Sequence, residues 1–76
     1  MLDAISNAKV NEEINIDARY YSSIEFTYRD GLGYSWCAKE RNSWSYYRPI
    51  ASGNNIQFWK TLAGAKRNFI KRISEQ

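Results

Sequence analysis

The chain has 76 residues, 43% hydrophobic and 16% aromatic, with a formal net charge of +3, one cysteine and no histidine. That length holds one hydrophobic core and buries only ~60% of the unfolded surface, so residues 1–76 are expected to form a single small α+β domain. One cysteine excludes an internal disulfide and leaves a zinc site without its ligand set, and the missing histidine removes the commonest general base, so a non-enzymatic protein with no metal and no cofactor is expected.

Taken in chain order, residues 1–13 lack the basic start and apolar run of a secretory signal. No stretch approaches the ~20 apolar residues that span a membrane. A lone thiol suits a reducing compartment, so a cytoplasmic protein away from membranes is expected. Leu2, Ile5 and Ala8 have helical spacing, which predicts a short helix or an irregular arm before Val10. Residues 14–20 alternate, with Ile14, Ile16, Ala18 and Tyr20 on one side, which predicts a strand.

The alternation is cleanest over residues 22–30, with Ile24, Phe26 and Tyr28 facing one way and Glu25, Thr27 and Arg29 the other. "DGLG", Asp30 to Gly33, supplies turn residues that tolerate positive φ. A returning strand is predicted over residues 34–40, with Tyr34, Trp36 and Ala38 on one face, and "RNS" turns the chain again. Residues 44–48 read as a strand ended by Pro49, "SGNN" as a loop, and "IQFW", residues 56–59, as a further short strand.

Thr61 is a natural N-cap for a helix running to Ser74. At about 100° per residue, Leu62, Ala65, Phe69 and Ile73 make one apolar stripe, with Gly64 and Asn68 assigned to the opposite side. Lys66 falls inside the stripe and is expected to snorkel, with its stem on the sheet and its ammonium in water. The predicted fold is a three- to four-stranded antiparallel sheet with a C-terminal helix packed on one face. The strongest aromatics, Phe26, Tyr28, Trp36, Trp44 and Phe58, are expected in the core, leaving Tyr21, Tyr47 and Trp59 over.

Charge is unevenly placed. Residues 1–25 carry −3 through Asp3, Glu12, Glu13, Asp17 and Glu25 against Lys9 and Arg19; the remainder carries +6. A basic majority favours polyanions or acidic protein surfaces as partners. Cys37 sits on a strand with no helix start near it, so it reads as a small hydrophobe and not a nucleophile. Tyr, Trp and Arg dominate interface hot spots and also stack on bases. The candidate binding residues are therefore Tyr47, Arg48, Trp59, Lys66, Arg67, Lys71 and Arg72. A second, acidic candidate surface is Glu12, Glu13 and Asp17.

The segment "TLAGAKR", with Thr61, Leu62, Ala65 and Lys66, resembles the strand-into-helix ending of small proteins encoded by bacteriophages and other mobile elements, the anti-CRISPR proteins among them. The resemblance covers about the last twenty residues. It implies a single small non-enzymatic domain that works in the bacterial host cytoplasm. Such a protein occludes a host protein or ribonucleoprotein complex such as a CRISPR effector. Many anti-CRISPR proteins are acidic DNA mimics, whereas this chain is basic; an acidic mode would rest on the N-terminal carboxylates. Two other classes stand beside this one. One is a nucleic-acid-binding domain using Lys66, Arg67, Lys71 and Arg72. The other is a self-assembling structural phage protein, with a homodimer formed through a strand edge.

Overall fold

The computed structural model describes residues 1–75. Its elements are helix α1 (Leu2–Asn7), strands β1 (Glu13–Asn15), β2 (Tyr21–Arg29), β3 (Gly33–Glu40) and β4 (Tyr46–Tyr47), and helix α2 (Leu62–Ser74). The four strands form one antiparallel sheet in the order β1-β2-β3-β4. The fold is α+β, with α2 on one face of the sheet and the short α1 against α2.

The β2–β3 hairpin is the frame. Its turn takes positive φ at Gly31 and Gly33, and Leu32 N–H donates to Arg29 O at 3.0 Å. The register sets Ile24 opposite Ala38 and Phe26 opposite Trp36, and all four are buried on the face that α2 covers. Thr61 Oγ1 accepts from Gly64 N–H at 3.0 Å, as an N-cap must to satisfy a free donor of the first turn. Phe69 then drops between three rings, with centroids 5.0 Å from Trp36, 5.9 Å from Tyr21 and 6.3 Å from Phe26. Such ring pairs contribute about 0.5–1.5 kcal/mol each beyond the area they bury.

Several expectations need correcting. Tyr21, expected to be left over, is buried, because the register skips a residue between Tyr21 and Ser23. That bulge turns Tyr21 onto the face of Ile24, where strict alternation would place it opposite. Tyr28 and Trp44, expected in the core, are exposed, and Phe58 is half-buried outside the core cluster. Tyr28 lies near the hairpin turn, its ring on Tyr34 at 5.0 Å and its hydroxyl towards Asp30. Trp44 belongs to the turn before β4, which pairs over two residues only.

The fourth strand is the N-terminal β1, shorter than the predicted residues 14–20. Residues 56–59 make no strand: Ile56 bridges Ile50, and Trp59 alone exchanges two hydrogen bonds with Tyr34, at 2.7 and 2.8 Å. That bridge, with Ser35 Oγ donating to Gln57 O at 2.8 Å, sets α2 down next to β3. Gly64 and Asn68 do not face solvent. Gly64 is buried, its pro-Cβ position 3.3 Å from Trp59 Cβ, and Asn68 Oδ1 accepts the Trp36 indole N–H at 2.9 Å. A short N-terminal helix is present, with Ile5 wholly buried. None of the helices among the described residues is long and apolar enough to cross a membrane.

Candidate docking surface

The fold consumes several of the predicted binding residues. Lys66 Nζ donates to Ser6 O at 2.7 Å and lies 5.8 Å from the Phe26 ring, so its ammonium, at an exposed site, also ties α2 to α1. Arg72 Nε donates to the Tyr21 hydroxyl at 3.1 Å, and the guanidinium sits 5.4 Å over Trp36. Trp59 is half-buried between Gly64 and its bridge to Tyr34. Tyr47 has one edge on Tyr21, at 5.8 Å, and is otherwise exposed. Arg67 and Lys71 stand exposed on the outer side of α2, Lys71 beside Arg72 at the rim of a shallow depression.

The acidic candidates do not form one surface. Glu12 accepts the Lys9 backbone N–H at 3.1 Å and closes a local turn. Asp17 pairs with Arg41 at 3.0 Å, and Arg41 also donates to Ala18 O at 2.7 Å, joining the β1–β2 connection to the end of β3. Glu13 alone reaches the sheet face that α2 leaves open, opposite Glu25.

That open face is laid out by register. One row runs Glu13, Glu25, Cys37 and the next runs Asn15, Ser23, Lys39, Tyr46. Like charges directly opposite are unfavourable, and Arg48 lies close enough to act on the same row. Burial pushes the Cys37 thiol above its ordinary value; Arg48 pulls it down, and Glu25 and Glu13 push it further up. A protonated, half-buried thiol is a poor nucleophile. Among the described residues no group of three or more His, Cys, Asp or Glu side chains could hold a metal.

The β3–β4 connection crowns this face. Glu40 N–H donates to Ser45 O at 2.9 Å, Ser45 N–H donates to Ser43 Oγ at 3.1 Å, and Asn42 takes a φ of 59°. The two hydrogen bonds hold a tight turn, with Asn42 in the left-handed region, that presents Trp44 to solvent at 89% exposure, with Lys39 Nζ over its ring at 4.9 Å. A shallow depression beside the indole is lined by Ser22, Lys39, Asn42, Ser43 and Trp44. Tyr46 and Tyr47 are also exposed, and on the Tyr47 side a second depression is lined by Tyr20, Tyr21, Glu40 and Tyr47. On the open face Glu13 and Glu25 stand against Arg29, Lys39 and Arg48, while Asp17 pairs with Arg41.

Of this surface the sequence offers Trp44, Tyr46, Tyr47, Lys39 and Arg48 as a base-stacking platform, but the binding set drawn from it keeps only Tyr47 and Arg48, with Trp44 assigned to the core and Tyr20 not singled out. The available signal was the "RNS" turn immediately before Trp44: a ring that close to a turn has little strand on which to be buried. No family model, curated protein or solved structure matches the chain.

Proposed function

We propose that the chain is a non-enzymatic binding protein that docks on a host protein through the β3–β4 hairpin and acts by occluding the surface it covers. Trp44 is the anchor, with Tyr46, Tyr47, Lys39 and Arg48 around it. The observation that carries this reading is the solvent-held indole at 89% exposure on a tight turn closed by one backbone and one side-chain hydrogen bond. A large apolar ring kept in water on a hydrogen-bonded turn adds nothing to the core, and Trp, Tyr and Arg are the residues that dominate interface energetics. Glu13 and Glu25, side by side on the same face, repel a polyanion, which favours a protein partner.

The resemblance of the α2 segment to small phage-encoded inhibitors supports occlusion as the mode. It makes a CRISPR effector in the bacterial cytoplasm the first partner to test. Tagged protein is used to capture effector complexes from a lysate with and without nuclease, and affinity for the captured component is then measured. Trp44→Ala is expected to weaken binding by about 2 kcal/mol or more, roughly 30-fold in Kd. Unchanged affinity in the folded variant, or capture that vanishes with nuclease, overturns the hairpin assignment.

A further inference from the structure

Two cations on and beside helix α2, Lys60 and Arg67, are explained neither by the helix's own stability nor by the core. Lys60 is exposed just ahead of the Thr61 cap, and the first turn holds no acidic residue, although the N-terminal end of a helix favours negative charge. Arg67 and Lys71 are spaced i, i+4, a like-charge pair that is mildly unfavourable on an isolated helix. Lys71 answers the carbonyl end of the dipole; Arg67, one turn back, does not. Among the described residues the single ion pair is Arg41–Asp17, so none of the helix cations is neutralised in this way. Arg72 spends Nε on Tyr21, and with Asn68, Lys71 and Glu75 it lines a shallow depression on the same helix. Glu75 is the only carboxylate there.

The outer side of α2 also lacks what a protein interface needs. The exposed large apolar side chains are Met1, Leu2, Tyr20, Tyr28, Leu32, Trp44, Tyr46, Tyr47 and Ile50, and none belongs to α2. The ridge is cationic, with the small residues Ala63 and Ser74 between and beyond the charges. Protein interfaces draw on a desolvated apolar centre, whereas a polyanion binds through cations alone, by releasing condensed counterions.

We infer that the outer face of α2, through Arg67 and Lys71 with Lys60 and Arg72 flanking them, binds the phosphate backbone of nucleic acid, independently of the hairpin. The two surfaces use different side chains and different physics. A ribonucleoprotein would offer both at once, its protein to the Trp44 hairpin and its nucleic acid to the helix.

The test is fluorescence anisotropy of the full chain with a labelled 20-base-pair DNA duplex, titrated from about 50 to 200 mM salt. Two to three phosphate contacts give a slope of log K on log salt of about −1.8 to −2.7. The double variant Arg67→Glu, Lys71→Glu is expected to reduce that slope by about 1.8 with its circular dichroism unchanged. Trp44→Ala is expected to leave it alone, so failure of the hairpin assignment and failure of this one are separable. Absence of binding at the lowest salt, or a slope the double variant does not change, overturns the inference. So does equal binding of polyglutamate, which would assign the ridge to acidic protein surfaces. Should the double variant unfold, Arg67→Gln with Lys71→Gln keeps the helix polar and gives the same readout.

Discussion

Trp36 and Trp44 are neighbours in sequence and opposites in the fold. Trp36 is wholly buried, its indole N–H on Asn68, its ring against Phe69 and under the Arg72 guanidinium. Trp44 is almost wholly exposed, with a single lysine over it. Both are apolar rings in a stretch dense with tyrosine and arginine. The difference lies in what each local segment can deliver. The long β2–β3 register carries Trp36 under α2, while the two-residue β4 leaves Trp44 in the turn, beyond the reach of either helix. A ring becomes core where the register brings it beneath a covering element, and becomes surface where the strand ends first.

The largest way to sharpen that contrast is to truncate both rings. Trp36→Ala is expected to cost about 3–5 kcal/mol through lost burial and an unfilled cavity, and it also strands the Asn68 acceptor. A domain this small has little stability to lose, so the variant should melt near or below room temperature. Trp44→Ala should stay within about 0.5 kcal/mol of the parent in a urea titration, since nothing packs on it but a cation. A comparable loss in the two variants would mean that Trp44 is part of the folded core.

A smaller effect tests how α2 reaches Trp36. Gly33 has a φ of 111°, and a Cβ there would run into the Trp59 carbonyl that bridges Tyr34. Gly33→Ala should therefore cost about 1–3 kcal/mol, seen as a lower denaturant midpoint. Gly31→Ala keeps the backbone strain but meets no atom within 4 Å, so it should cost less. Equal costs would show that the Trp59 bridge does not position the helix.

The smallest effect comes from the open face. Burial raises the folded-state value of the Cys37 thiol, so the unfolded chain gives up this proton first. Stability linked to the thiol is complete below the ordinary thiol range and declines as pH rises through it. The difference in unfolding midpoint between the parent and Cys37→Ser should therefore change as pH rises from about 7 to about 9.5. Arg48→Ala should steepen the decline, because Arg48 is the group that favours the thiolate.

Local chemistry was readable in proportion to how local it is. The cap at Thr61, the extent of α2 to Ser74, and the turn at Gly31 and Gly33 follow from neighbouring residues and came through as expected. The polar–apolar alternation of β2 and β3 did so as well, up to the bulge. The bulge itself inverts Tyr21, and periodicity cannot announce an inserted residue. The helical wheel misplaced Gly64 and Asn68, because it ranks faces by hydrophobicity. Here a missing side chain makes room for Trp59, and a polar one answers an indole N–H.

The candidate site divides along the same line. Arg67 and Lys71 could be named from composition and helical phase, since a cation with nothing opposite it stays on the surface. Lys66 stands out by its place in the apolar stripe and Arg72 does not, yet neither partner is visible there: they bond Ser6 O and the Tyr21 hydroxyl, 60 and 51 residues away. By itself the sequence determined the hairpin, the capped helix and the α+β class, because turns, caps and period depend on residues close along the chain. The tertiary structure decided which rings are core, which cations are free and where Trp44 points, because those outcomes depend on registers and contacts between distant segments.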